Sequence, residues 1–322
     1  MQADPRFATL ATSAILIVGA PRSGTSWLGK IFDSHPDVLY RFEPDWFDPD
    51  DVVTNGDMIR ANMARWLQNR DPRSAGKRPF FPKSWQAAPS RLLRASLIYA
   101  GAATSRIGLP AWPAPDLGCT AQARAVVKSV RLRDGLGAFA RVCPDARALL
   151  ILRHPCGQAA SLMRGTRDRK FVLVKPGTEM PYDEARTIAF ASRHGIDEGA
   201  YRRLVDAAKY AWSWREFNET ALESIADRAN ARVVVYEDLC VKPMDEARTI
   251  LAFAGLSWSA QTETFLSHST SYNRAAGYYA VLRNSIAAAD RWRSDLAPQD
   301  QDAVREVVRG SKLSRYWPDL MR

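Results

Sequence analysis

The stretch Ala14-Ile15-Leu16-Ile17-Val18-Gly19-Ala20-Pro21-Arg22-Ser23-Gly24-Thr25-Ser26 decides how this chain is read. Its first five residues are a continuous apolar run, the pattern of a strand buried on both faces. A glycine-framed turn follows, and Thr25 to Phe32 reads as the start of a helix. Gly19 and Gly24 have the G-x-x-x-x-G spacing of a phosphate-binding loop. Such a loop points backbone N–H groups and a helix N-terminus at an anion. Gly24 lets the backbone come close, and Arg22, Ser23, Thr25 and Ser26 add side-chain donors. Thr25 stands where a nucleoside triphosphatase has the lysine that reaches the β- and γ-phosphates. The loop therefore fits anion binding and speaks against triphosphate hydrolysis, with a P-loop NTPase or kinase-like phosphotransferase as the alternative.

Outward from this loop the same rhythm returns. Val38–Phe42, Ala125–Leu132, Ala148–Leu152 and Arg232–Tyr236 read as short apolar strands. Helical patterns cover Asp134–Val142, the run from Cys156 to Arg164, Asp197–Asn230, Met244–Ala254 and 298–310. Strands alternating with helices imply an α/β fold, a central parallel sheet flanked by helices. Residues 1–322 read as a single domain, with 166–185 as a polar loop. The Pro-, Trp- and Arg-rich segment 45–118, with helices near 57–69 and 89–106, reads as a long insertion forming an acceptor-binding lid. Within it, Trp66, Phe80, Phe81 and Trp85 lie among arginines and lysines, as sugar-stacking platforms or as the small core of the lid.

The composition, 46% hydrophobic and 25% charged over 322 residues, excludes a disordered or fibrous chain. Lys+Arg exceed Asp+Glu by 45 to 35, and only nine of the cations are lysine. Arginine suits forked contacts to phosphate, sulfate and carboxylate, so an anionic partner is expected. The charge alone could serve nucleic acid, but no recognition helix or aromatic RNA motif stands out, and no nucleic-acid partner is expected. The four cysteines and four histidines form no metal-ligand spacing, so no metal is expected. Scattered cysteines fit reduced thiols and a cytoplasmic setting. The apolar run Ala14–Ala20 is too short to span a bilayer, while the basic, partly amphipathic stretch Ser90–Ile107 could touch an anionic membrane face.

A second anion motif follows the strand Ala148–Leu152. Arg153 stands at its carboxyl end, where ligands of open α/β sheets bind, and Ser161 lies two turns into the next helix. Arginine plus hydroxyl can hold a phosphate separate from the one at Gly24.

Together these residues carry a family resemblance. The run GAPRSGTSWLGKIFDSHPDVLYRFEP (19–44) resembles the 5′-phosphosulfate loop of sulfotransferases that use 3′-phosphoadenosine 5′-phosphosulfate (PAPS), carbohydrate sulfotransferases above all. ILRHPCGQAASLM (151–163) is similar to their 3′-phosphate segment, VVVYEDLCVKP (233–243) to a strand end of the same superfamily, and RNSIAAADRWRSDL (283–296) to its C-terminal loop. The resemblance implies a P-loop-like sulfotransferase fold and PAPS as cosubstrate, without metal. It implies that Arg22, Ser23, Gly24, Thr25, Ser26 and Trp27 hold the 5′-phosphosulfate, and Arg153 and Ser161 the 3′-phosphate. Tyr236 would lie near the adenine, with Arg283, Asn284 and Ser285 as further phosphate contacts. Lys128 matches the family lysine near the transferring group, where it would stabilise charge on the leaving phosphate. Glu43 matches an acidic residue of the carbohydrate branch, placed to take the proton of an acceptor hydroxyl. The small-molecule branch instead has a histidine two residues after the lysine, and here that position is Val130. A glycan or glycolipid acceptor is therefore expected, with His154 the rival base should Glu43 prove remote.

Overall fold

The computed structural model describes residues 5–47, 56–69, 71–76, 78–106, 119, 122–168, 182–271 and 285–320. In chain order the elements are α1 (Pro5–Thr12), β1 (Ile15–Val18), α2 (Thr25–Asp33), β2 (Val38–Phe42), α3 (Gly56–Gln68), α4 (Ala88–Arg106), β3 (Arg124–Ser129) and α5 (Arg133–Val142). They continue with β4 (Arg147–Leu152), α6 (Pro155–Arg167), α7 (Glu184–Arg193), α8 (Glu198–Arg203), α9 (Asp206–Ser224), β5 (Ala231–Val235), α10 (Tyr236–Val241) and α11 (Pro243–Phe253). Last come α12 (Ala260–Ser271), α13 (Ser285–Asp290), α14 (Trp292–Asp295) and α15 (Pro298–Val308).

The five strands form one sheet, ordered β2-β3-β1-β4-β5, and every pairing is parallel. The apolar runs have no polar alternation because both faces are covered. Leu16 and Val18 of β1 enter one core with Val127, Leu150 and Leu152, under α1, α3, α5, α6 and α9. Ile15 and Ile17 enter the other with Val126, Leu149 and Ile151, under α2, α10 and α11. Because all strands run the same way, their carboxyl ends share one edge.

Several boundaries differ from the sequence reading, each for a local reason. β3 stops at Ser129 rather than Leu132, because the Ser129 hydroxyl accepts the N–H groups of Arg131 and Leu132 at 2.9 and 3.2 Å and turns the chain. Tyr236 opens α10 instead of ending the strand. The long helical stretch Asp197–Asn230 is α8 and α9, each with its own N-cap, and Asp197 caps α8 through Ala200 N–H at 2.8 Å. Part of the expected 166–185 loop is helical. α6 runs on to Arg167, and Asp183 caps α7 at Glu184 through Arg186 N–H at 3.0 Å.

The segment 45–118 is not a lid throughout. α3 puts Ile59, Met63, Trp66 and Leu67 into the core that holds Leu16 and Val127. Trp66 is 1% exposed, which removes it as a sugar platform. Beyond α3, Lys83 donates to the Asp33 and His35 carbonyls and lies 3.1 Å from Asp33 Oδ1, while Lys30 donates to Asp33 Oδ2 at 2.5 Å. Burial pushes the Asp33 carboxyl up, but Lys30 and Lys83 outweigh it and hold it at about 2. Burial draws Lys83 down to about 8. This cluster clamps the segment to the end of α2. Phe81 packs edge-on to Phe265 of α12 against one main core and Trp85 against the other, while Phe80 packs on the segment's own Ala75 and Ile98. On α4, Leu92, Leu93 and Tyr99 are exposed, and Arg78 lies over the Tyr99 ring at 4.1 Å. Among the described residues no helix is long and apolar enough to cross a membrane.

Candidate active site at the carboxyl edge of the sheet

The loop after β1 is shaped by close contacts that glycine permits. A Cβ on Gly19 would meet Ile151 Cγ2 at 2.5 Å and its carbonyl at 2.8 Å, so the loop crosses hard against β4. Gly24 has φ +98° and serves as N-cap of α2. Arg22 has φ +72°, a conformation that costs a side-chain-bearing residue energy and tends to occur at functional sites. Ser23 Oγ is fully buried with no hydrogen-bond partner among the described residues, and Arg153 Nε is likewise unpartnered. Two buried donors of this kind beside a helix N-terminus suit an anion. Thr25 is buried and Ser26 half-buried. Trp27 is turned inward: its indole N–H donates to Ser269 Oγ at 3.3 Å and its backbone N–H to the Gly24 carbonyl at 3.0 Å.

The two sequence motifs meet. Arg22 Nε donates to Ser161 Oγ at 3.1 Å, and Arg153 Nη1 donates to the Arg22 carbonyl at 2.9 Å. Arg153 Nη2 reaches the Ala288 carbonyl of α13 at 3.3 Å. The C-terminal segment thus arrives at the site through its backbone. Arg283 and Asn284 lie outside the described residues, and Ser285 opens α13. The Arg153 guanidinium sits 4.8 Å over the Tyr236 ring, whose edge occupies the space a Gly24 side chain would need.

His154 is a structural residue. It is 2% exposed; its Nδ1 accepts the Cys156 N–H at 3.2 Å as N-cap of α6, and its Nε2 lies 3.3 Å from Asp319 Oδ2. Its ring stacks on Trp292 at 4.4 Å. Its Nδ1 is committed to the Cys156 N–H and its Nε2 faces Asp319 within the fold, so the ring is packed away from solvent rather than open to an acceptor hydroxyl. Glu237 was not singled out by sequence, yet it accepts the His154 N–H at 3.0 Å and Trp317 Nε1 at 3.1 Å. Burial raises its carboxyl above the usual value, with Arg153 and His154 opposing. The signal available was its place beside Tyr236 in the strand-end motif.

On the other side of the loop, β2 and β3 pair Phe42 with Lys128, and the Glu43 N–H extends the ladder to the Lys128 carbonyl at 2.7 Å. Glu43 then turns with φ +45°. Its Oε1 pairs with Lys128 Nζ, which is 1% exposed and 4.7 Å from the Phe42 ring centre. Arg41 instead donates to the Leu67 carbonyl at 3.0 and 2.7 Å. Asp45, a second residue the sequence reading missed, accepts the Ser129 hydroxyl at 2.8 Å, and its carbonyl accepts Arg131 Nη1 at 2.9 Å. Burial raises the Asp45 carboxyl to about 6.

A groove of about 780 Å³ along β5, lined by Ile225, Val233 and Tyr316, contains none of these residues. All four cysteines are buried, and among the described residues none forms a disulfide. Among the described residues no group of three His, Cys, Asp or Glu side chains could hold a metal ion.

Known proteins resemble this chain at the level of family. The sulfotransferase family model matches residues 14–260. Human carbohydrate sulfotransferase 6 is 25% identical over 94% of this chain and 80% of its own length. Mouse carbohydrate sulfotransferase 7 is 24% identical over 89% of this chain and 69% of its own. A mouse sulfotransferase solved in complex with PAP aligns over 99% of this chain and 94% of its own, with 15% identity and a TM-score of 0.46.

Proposed function

Because the chain belongs to the sulfotransferase family, we propose that it transfers the sulfuryl group of PAPS to a hydroxyl of a carbohydrate or glycolipid. The observation that carries this reading is one sheet edge with an anion loop at its centre, an Arg22–Ser161–Arg153 cluster to one side and a Glu43–Lys128 pair to the other. The names of the curated relatives support a carbohydrate acceptor.

In this reading Ser23, Thr25, Ser26 and the start of α2 bind the 5′-phosphosulfate, Arg153 and Ser161 the 3′-phosphate, and Tyr236 the wall between them. Trp27 contributes as packing behind the loop. Glu43 accepts the proton of the attacking hydroxyl as its oxygen bonds to sulfur. The bond from sulfur to the bridging oxygen breaks, and the electron pair leaves with the 5′-phosphate. Lys128 stabilises the charge that grows there, so fixed cations and N–H donors perform the electrostatic work. Glu43 and Lys128 lie in direct contact with each other, on the same side of the loop.

The test is calorimetric titration with 3′-phosphoadenosine 5′-phosphate (PAP), repeated with Mg-ATP, followed by incubation with PAPS and a panel of neutral and acidic oligosaccharides. Micromolar or tighter PAP binding, weak ATP binding and sulfated glycan product are expected. A preference for Mg-ATP, or no PAP binding, would overturn the reading.

A further inference from the structure

We propose that Asp45 is a positioning residue for the Glu43–Lys128 pair. It ties the turn that carries Glu43 to the end of β3 that carries Lys128, and it does so as a carboxylate. The inference deepens the function proposed above.

Asp45 is 4% exposed, and its two oxygens are unequal. Oδ2 accepts the Ser129 hydroxyl, while Oδ1 is buried with no partner among the described residues. Ser129 directly follows Lys128, and its Oγ also accepts the Arg131 and Leu132 N–H groups. The hydroxyl proton is thereby committed to Asp45, and this bond, with the Arg131 Nη1 contact to the Asp45 carbonyl, joins the two strand ends beyond their ladder. Glu43 lies between these ties, in a left-handed conformation that an untethered glutamate would leave.

Glu43 and Arg131 are the charged groups that act on Asp45 from its own turn and from the end of β3. On α3, which also packs against the turn, Arg60 donates to the Val142 carbonyl and Arg65 to Asn62 Oδ1. Burial lifts the carboxyl to about 6. Its charge therefore lowers fold stability as pH rises from the ordinary 3.8 through about 6, where the folded protein binds the extra proton. A residue kept only for stability would run the other way.

The experiment measures acylation of Lys128 by acetic anhydride in the full chain, read by peptide mass spectrometry and normalised to exposed Lys312. Wild type, Asp45→Asn, Ser129→Ala and Glu43→Gln are compared. Asp45→Asn and Ser129→Ala are expected to label Lys128 several-fold faster than wild type. Both should lower kcat on the glycan panel about tenfold while PAP affinity stays within about twofold, the pattern of a lost transition-state contact. Asp45→Asn should melt no lower than wild type at pH 7. In wild type, Lys128 labelling should rise as pH falls through about 6. Lys128 protected equally in wild type and Asp45→Asn would overturn the proposal. If Asp45→Asn does not fold, equal protection in Ser129→Ala does so. Full turnover by Glu43→Gln would instead remove Glu43 as the base and leave the labelling result to stand for Asp45 by itself.

Discussion

Replacing Gly24 with alanine puts a methyl group where the Tyr236 ring now stands. The Cβ would lie 2.3 Å from Tyr236 Cδ2 and 2.7 Å from Cε2, so the ring must move. The ring is 5% exposed, packed edge-on to Trp27 at 6.2 Å and covered by the Arg153 guanidinium at 4.8 Å. Two costs follow. The backbone at φ +98° strains any side-chain-bearing residue by about 1–2 kcal/mol. Displacing the ring forfeits a cation–π contact of about 1 kcal/mol and shifts Arg153. The strain falls on fold stability, while the displaced ring and shifted Arg153 act on binding, so PAP affinity should fall about tenfold, or about 1.4 kcal/mol. Calorimetric titration with PAP reads this directly. Gly195→Ala is the control: φ there is +87°, yet a Cβ meets nothing within 4 Å. It should lose about 1 kcal/mol of stability with unchanged PAP affinity. If Gly24→Ala binds PAP like wild type and loses only what Gly195→Ala loses, Tyr236 is not the shared wall of the two anion subsites.

Three further outcomes are expected. Glu43→Gln should cut kcat by about 10²–10⁴-fold with PAP still bound, measured by steady-state transfer from PAPS; near-normal turnover would refute the base assignment. Asp33, held at about 2, contributes stability that is present above 3.8 and lost as pH falls through about 2. Asp33→Asn leaves Lys30 and Lys83 buried without their carboxylate and should cost about 3–5 kcal/mol at pH 7 in urea unfolding; a loss below about 1 kcal/mol would contradict the clamp. Trp317→Phe leaves Glu237 Oε2 without its indole donor and should cost about 1–3 kcal/mol, seen as a lower Tm; an unchanged Tm would show that oxygen is satisfied otherwise.

Much of this molecule follows from local sequence. Apolar runs such as Ala14–Val18 and Ala148–Leu152, bounded by turn residues and short, read as strands buried on both faces because no polar face alternates with them. The Gly19–Gly24 spacing and Arg153 with Ser161 are short-range patterns, legible because loop and helix are adjacent in the chain. What tertiary structure alone decided depends on residues far apart in sequence. The Arg22–Ser161 hydrogen bond joins positions separated by 139 residues, and the Lys128–Glu43 pair positions separated by 85. Trp66 sits in an Arg-rich run that gives no sign of the core it enters. His154 reads as a strand-end residue with a rival role as base, and only the fold shows its Nδ1 capping α6 and its ring buried against Trp292. Asp45 looks like one more loop acid until Ser129 meets it. Local pattern sets which backbone forms a strand, turn or helix, since that preference is written in neighbouring residues. Burial, partner and charge state are set by whatever the fold brings alongside, and only the assembled sheet edge contains that information.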